Sequence, residues 1–393
     1  MKVLMAGPFS VHTTRQVNWM LDRGQEVVLI SDRDIHPQGR RNYRFIHQPV
    51  VRGARFCRKL LPKRFAEGLI EWLYIVQYRF WLAVVRPEVV HVNWVDDIAF
   101  YLARAGAWPL VLTIWGSDVN RLFLPDFKLC QRRYTAGALA EAAIVIADAR
   151  DMIEKCARLT GKPVRVEILA LGIDTGLFRA DFPGQAERVF SWRRSLEIPE
   201  GAKVVVSIRA LDYKYGHDLI LSAFARALPE LGGNAVLLYR RYNPDEAGEC
   251  ERQLRRQAER LGILDRVRWM ESVRYEQLPE IYALADLVVN YPEIDAFPVS
   301  FIEAAACERP LVTSRLAAYE GTFAEEFFRF VPLDDVPALA KAIIEELGGA
   351  ATVTPSRLRE ARRQVEAEFD QAVCAERLLA LYREAVGIGR KRG

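Results

Sequence analysis

Two hydrophobic rhythms alternate along the chain. Short runs of nearly unbroken apolar, β-branched residues recur in the first half: KVLMAG (2–7), EVVLIS (26–31), VVHVNWV (89–95), PLVLTIW (109–115), AAIVIAD (142–148) and VRVEILAL (164–171). The second half repeats them as KVVVSI (203–208), AVLLYRR (235–241), VRWMES (267–272), DLVVNY (286–291), PLVTS (310–314) and FRFVPL (328–333). Helical spacing of apolar residues falls between most of these runs, over 13–23, 66–85, 128–141, 217–229, 246–261, 276–285, 298–308 and 336–347. Strands that are apolar throughout are covered on both faces, and strands separated by helices pair in parallel. The pattern therefore predicts an α/β chain of two facing, Rossmann-like, doubly wound parallel-sheet domains. The stretch 175–202, holding DFPGQ and IPEG, divides the two sets. This gives a domain over 1–180, a linker over 181–200 and a second domain over 201–365. A final helical region, 356–386, has no strand partners, and 366–393 is expected to pack back across the junction toward the first domain. Ligands of open parallel sheets bind beyond the carboxyl ends of the strands. The cleft between the domains is then the expected site.

A length of 393 residues exceeds one ordinary core and agrees with two domains. The six cysteines (57, 130, 156, 250, 307, 374) are scattered, with no C-x-x-C and no histidine at ligand spacing. That argues against a disulfide framework or a zinc site and for a reducing compartment. The start, MKVLMAGPFSVH, runs directly into a strand without the apolar core of a signal peptide. The longest apolar stretch, 68–85, is interrupted by Glu71, Gln77 and Arg79. A cytoplasmic protein is expected, or one peripheral on the inner face of the membrane. The net charge of +4 is unevenly placed: residues 40–64 carry nine Arg or Lys and no acid. Trp72, Tyr74, Tyr78, Phe80 and Trp81 follow at once. Basic residues beside amphipathic aromatics suit an anionic membrane surface, met through residues 40–86. The competing reading is a solvated loop followed by a core helix. Nothing resembles a nucleic-acid-binding module, so nucleic acid is not an expected partner.

The informative polar residues come just after strands. Behind 203–208 stands Arg209-Ala-Leu-Asp-Tyr-Lys214-Tyr-Gly216, followed by a helix. Two cations in a short loop at a helix start make an anion site. Both G-x-x-x-x-G-K-[ST] and G-x-G-x-x-G are absent, which counts against a P-loop NTPase and a dinucleotide oxidoreductase. Behind 286–291 stands Pro292-Glu-Ile-Asp295-Ala-Phe297-Pro298, and then a helix carrying Glu303. Proline suits the first helical turn, leaving the amides of Val299 and Ser300 to hold a phosphate. Glu303 lies on an apolar stripe with Val299, Ser300, Ala306 and Cys307 as helical neighbours. Two acceptor oxygens suit a vicinal diol such as a ribose, and a buried carboxylate needs a ligand or an internal donor. A pair of carboxylates also suits a glycoside hydrolase, which would not need Arg209 and Lys214 in the same place.

With these motifs in order along residues 1–385, the chain resembles the family-4 glycosyltransferases of the two-domain GT-B type. Their E-x7-E hallmark is matched by D-x7-E from Asp295 to Glu303 in VVNYPEIDAFPVSFIEAAACERPLVTS, and their R-x4-K by Arg209 and Lys214. VHTTRQVNWMLDRGQEVVLIS (11–31), VLTIWGSDV (111–119) and ILALGIDTGLF (168–178) are similar to the family's other landmarks. The resemblance implies a retaining, metal-independent hexosyltransferase. It would move a sugar from a nucleotide-diphosphate sugar to a saccharide or lipid-linked acceptor in cell-envelope glycan or glycolipid synthesis. The donor would be a substrate, and no cofactor is implied. Arg209 and Lys214 would neutralise the diphosphate, Glu303 would bind the ribose hydroxyls, and Asp295 would hold a hydroxyl of the donor sugar. Phe297, Pro298, Val299 and Ser300 would line the donor, with the base near Ser272, Val273 and Arg274. In the first domain Gly7 would approach the donor, His12 would act as a base or acceptor-positioning group, and Asp118 and Trp115 would face the acceptor. An Asp where Glu is usual, and Trp115 where a His is usual, keep open an alternative: a non-catalytic nucleotide-sugar-binding or membrane-docking subunit of the same fold. An epimerase of this architecture is also open.

Overall fold

The computed structural model describes residues 1–37, 40–50, 58–124, 129–241 and 244–392, without the side chains of 130, 244–247 and 390–392. Arg52, Arg55 and Cys57 of the basic segment thus lie outside the described residues. The chain folds as two units: Met1–Leu171 joined by Ala372–Gly393, and Gly172–Gln371.

The first unit is built on β1 (Lys2–Ala6), β2 (Glu26–Ser31), β3 (Tyr43–His47), β4 (Val89–Asn93), β5 (Leu110–Thr113), β6 (Ile144–Ala147) and β7 (Val166–Ile168). They form one parallel sheet in the order β3-β2-β1-β4-β5-β6-β7. Alternation along the strands supplies two buried faces. Val3, Met5, Val27, Leu29 and Val111 pack with the helix Val11–Asp22 and with Leu378, Leu379 and Tyr382 of the last helix. Leu4, Ala6, Val28, Val90 and Leu112 pack with the helices Lys63–Val85, Asp97–Arg104, Leu129–Glu141 and Asp151–Thr160 on the other side.

The second unit holds β8 (Lys203–Ser207), β9 (Ala235–Arg240), β10 (Val267–Met270), β11 (Leu287–Asn290), β12 (Leu311–Ser314) and β13 (Arg329–Val331). This sheet is also parallel, in the order β10-β9-β8-β11-β12-β13. In each sheet the strand order reverses once, between β1 and β4 and between β8 and β11. Ligands of open parallel sheets bind beyond the carboxyl ends of the strands at such a reversal.

Three expectations change. The stretch taken as a linker contains a helix, Gln185–Ser195. It is held within the second unit by Arg188 and Trp192, both 2.7 Å from the carboxylate of Glu280. The single terminal helical region is broken into Pro355–Glu368 and Gln371–Arg392. At the break Phe369 stacks among Phe297 and Phe323, and Asp370 accepts a 2.6 Å hydrogen bond from Thr175, so the chain turns. Finally, β3 lies inside the basic segment read as a loop. It pairs on one side only, as an edge strand with exposed charges does. Among the described residues no helix is long and apolar enough to cross a membrane.

Candidate functional site

In the second unit, the loops after β8 and β11 meet at the point where the sheet reverses. Their backbones touch: the Glu293 amide donates to the Lys214 carbonyl at 3.2 Å. Gly216, at φ +60°, lies so close to Tyr291 that an added Cβ would stand 2.3 Å from its carbonyl oxygen. His217 braces the first loop. Ala210 offers only an acceptor, so Nε2 carries the proton and donates at 2.7 Å, leaving Nδ1 to accept from Ser207 at 3.2 Å.

Arg209 and Asp295 are thereby brought together. The guanidinium reaches both carboxylate oxygens, at 2.9 and 3.1 Å, in the two-pronged geometry Arg favours. Tyr319 donates to the same carboxylate at 3.0 Å, as does the Ala296 amide at 3.0 Å. The Tyr215 ring lies 4.1 Å from the guanidinium carbon. Burial disfavours the charge of Arg209, but Asp295, Tyr215 and Tyr319 outweigh it and raise its pKa. Lys214 behaves differently. Its ammonium is exposed and 3.1 Å from Asp212, whose carboxylate also accepts from the Lys214 amide.

The helix Val299–Ala306 starts at Pro298. Ser300 accepts a 3.2 Å hydrogen bond from the buried Asn290 amide at the end of β11. Phe297 belongs to the core: its ring sits among Phe301, Phe323 and Phe369, so the expected lining role is not open to that side chain. Glu303 is 8% exposed and accepts a 2.7 Å hydrogen bond from Tyr282. The apolar stripe therefore tolerates a carboxylate because a phenol on the neighbouring helix Leu278–Leu284 supplies a donor. Burial, with the Glu303 charge, raises Tyr282 well above the usual tyrosine range and keeps it a donor. Ser272, Val273 and Arg274 follow β10, which is separated from β8 by β9. The Arg274 amide is taken by Gln277 at 3.3 Å.

The reversal point of the first unit gathers a second set. Gly7 leaves β1, and an added Cβ would stand 2.7 Å from the Asn93 carbonyl, so a side chain is excluded there. His12, Trp115 and Trp94 form an aromatic row, with ring centroids 4.9 Å and 5.6 Å apart. Trp94 adopts φ +71°, a conformation costly for a bulky residue. Arg121 lies 5.1 Å over its ring. Burial, then the Arg15 charge, lowers His12 to about 4, so it is neutral at physiological pH. Asp118 departs from expectation. It is buried, and its two oxygens accept the Val95 and Trp115 amides at 2.9 and 3.1 Å, so it ties strand-end loops together instead of facing an acceptor. Burial pushes it up to about 6.

The sequence reading named Arg209, Lys214, Asp295 and Glu303. It did not name Tyr215, Tyr282 and Tyr319, which contact Arg209, Glu303 and Asp295, nor Asn290 on Ser300, nor Trp94 in the first unit. Tyr215 sits in the quoted loop, so the post-strand signal marks it. Trp94 falls inside the expected strand 89–95, and its place just after the strand shows only because the strand ends at Asn93. The four described cysteine side chains, Cys156, Cys250, Cys307 and Cys374, are buried and none is in a disulfide.

Two family models match, in chain order. "Glycosyl transferase 4-like" covers residues 2–149, and "Glycosyl transferases group 1" covers 189–364. A D-inositol 3-phosphate glycosyltransferase of Segniliparus rotundus is 27% identical over 227 residues, 57% of this chain and 48% of that protein. Another so named, of Catenulispora acidiphila, is 27% identical over 317 residues, 78% of this chain and 74% of its own. The chain thus spans about half the length of the first of these relatives. HepE of Anabaena, solved with UDP and glucose, superposes with a TM-score of 0.76 at 17% identity, over 98% of this chain and 100% of its own. The fold is GT-B. The chain belongs to the glycosyltransferase family that the two models describe.

Proposed function

We propose that this protein transfers a hexosyl group from a nucleoside-diphosphate sugar to a saccharide or lipid-linked acceptor, with retention of configuration, in cell-envelope glycan or glycolipid synthesis. The observation that carries the reading is the meeting of Arg209, Lys214 and the Asp295–Glu303 helix entry at the reversal point of one sheet. The family and the relatives' printed activities support it. The chemical demand of the reaction is to stabilise charge that builds on a departing diphosphate. In this reading Arg209, Lys214 and the Val299 and Ser300 amides supply positive potential there before the reaction starts. Glu303 accepts from the ribose hydroxyls, and the base lies toward Ser272–Arg274. The leaving phosphate takes the acceptor's proton during front-face attack, so no side-chain nucleophile is required. Gly7 approaches the donor, and His12 and Trp115 belong to the acceptor side, where a neutral His12 can accept a hydrogen bond from the acceptor. The work is done in the cytoplasm or on the inner face of a membrane.

The test is a panel of nucleotide-sugars screened for thermal stabilisation, then for diphosphate release with lipid and saccharide acceptors. Arg209→Ala and Lys214→Ala are each expected to lower transfer at least ~100-fold, and Glu303→Ala to weaken nucleotide affinity in calorimetry. Transfer should persist in chelator, because the side-chain cations stand in for a metal ion. Near-normal turnover in both cation variants would dispose of the diphosphate site. Nucleotide binding without turnover on any acceptor would favour the non-catalytic alternative.

A further inference from the structure

The helix Lys63–Val85 is apolar on two sides. One side faces the first unit's core: Ala66, Ile70, Tyr78 and Val85 are buried, and Tyr74 stacks on Tyr101 at 5.0 Å. The other side carries Phe65, Leu69, Trp72, Val76, Phe80 and Val84, spaced three or four apart and therefore on one face. All six are exposed, Phe65 at 71%, Trp72 at 57% and Phe80 at 59%. At 1.5 Å per residue the stripe runs for roughly 30 Å. The aromatic set noted in the sequence is thus divided, with Trp72 and Phe80 turned outward and Tyr74, Tyr78 and Trp81 packed against the core. A stripe of large apolar side chains this long on a folded surface marks an interaction site.

Charge identifies the occupant. The acids of this helix stand off the stripe and are paired, Glu67 with Arg58 at 3.0 Å and Glu71 with Arg133 at 2.9 Å. Within the stripe the charged residue is Arg79, whose long side chain can bury its stem and keep its head among phosphates. Lys59, Lys63 and Arg64 are exposed at the amino-terminal end and Arg86 at the other. A second copy laid on this face would bring cations together without an acid between them. An anionic headgroup layer supplies the missing negative charge, and the acyl boundary takes up the aromatic rings.

We propose that this face docks the protein on an anionic lipid bilayer, with the helix lying in the plane of the interface and Phe65, Trp72 and Phe80 entering it. The inference deepens the transfer reading by placing the acceptor at a membrane, and rests on that reading to this extent. The test floats the full chain with vesicles of phosphatidylcholine alone and with about one third phosphatidylglycerol. Wild type should float with the anionic vesicles and release in high salt. A combined Phe65→Ser, Trp72→Ser, Phe80→Ser variant should lose at least about tenfold in vesicle affinity, even in low salt, with unchanged circular dichroism. Lys63→Glu with Arg64→Glu should lose binding in low salt. A wild type that stays off both vesicles, or an apolar variant that floats as well as wild type, overturns the proposal. So does a lipid-free dimer that the apolar variant dissociates and that ignores vesicles, which would assign the face to a second copy. Nucleoside diphosphate binding is read in the same samples. Its absence from wild type would count against the transfer reading, while flotation alone decides the docking face.

Discussion

Arg209 carries its charge where charge is expensive, and Asp295 is what makes that tolerable. The two side chains are about equally shielded, at 14% and 13% exposure, and each is the other's counter-ion. Removing one partner of such a pair usually costs about 3–5 kcal/mol, because the remaining charge is stranded. Asp295→Ala should lower the stability of the second unit by that order. If the free side of the guanidinium faces a diphosphate, the ligand returns the missing negative charge. The variant's melting temperature should then rise further on adding nucleoside diphosphate than wild type's does, and equal rises would separate Arg209 from the ligand. His217 gives a pH-dependent counterpart. Burial lowers it from 6.5 to about 4, although the Ala210 carbonyl pulls the other way. Between those values the unfolded chain binds the proton and the folded chain does not, so stability is lost as pH falls below 6.5, at most about 1.4 kcal/mol per unit. His217→Gln should flatten the stability difference between pH 7 and pH 5 in chemical denaturation. An unchanged slope would mean that the imidazole protonates freely in place.

At the scale of elements, the decisive joint is between the loops after β8 and β11, where Gly216 lies against Tyr291. Alanine there meets both an unfavourable φ of +60° and a backbone oxygen 2.3 Å away, which no side-chain movement relieves. Gly216→Ala should cost more than about 2 kcal/mol and weaken nucleotide binding as the loops part. Gly262→Ala is the control: its φ is +70° with nothing within 4 Å of the added carbon, so about 1 kcal/mol and unchanged affinity are expected. Equal costs would show that the loops separate readily. The strands flanking this joint were legible because a doubly covered parallel strand must be apolar throughout, as Val204–Val206 and Leu287–Val289 are. The helix Gln185–Ser195 was not, since it buries no residue and its sequence has no apolar stripe to read. Arg209, Asp295 and Glu303 were visible because they follow strands. Their partners were not. Tyr282 is 21 residues from Glu303 and Tyr319 is 24 from Asp295, and those pairings exist only once separate loops have been folded together.

For the whole molecule, the chain's path sets which parts can stand alone. The second unit is one continuous segment, Gly172–Gln371, whereas the first is completed only by the last helix, Gln371–Arg392. That helix contributes Cys374, Ala375, Leu378, Leu379, Tyr382 and Ala385 to the first unit's core. Tyr382 also meets the buried His91 at 2.5 Å, and Arg23 and Arg165 pair with Glu376 and Glu384 at 2.7 and 2.8 Å. Leu378, Leu379 and Tyr382 alone bury side chains worth on the order of 5–9 kcal/mol. That is comparable to the entire stability of a domain, about 5–15 kcal/mol. A chain ending at Gln371 should therefore lose the first unit's calorimetric transition and have residues 1–171 digested in limited proteolysis. The second unit should keep its own transition and its nucleotide affinity, because its sheet, the Arg209–Asp295 pair and the Tyr282–Glu303 hydrogen bond all lie within Gly172–Gln371. Two surviving transitions would show the helix to be an attachment to a complete domain. Tyr382→Phe grades the same argument: it keeps the packing, deprives the His91 ring of one partner, and should cost only about 1–3 kcal/mol, with the first unit still folded.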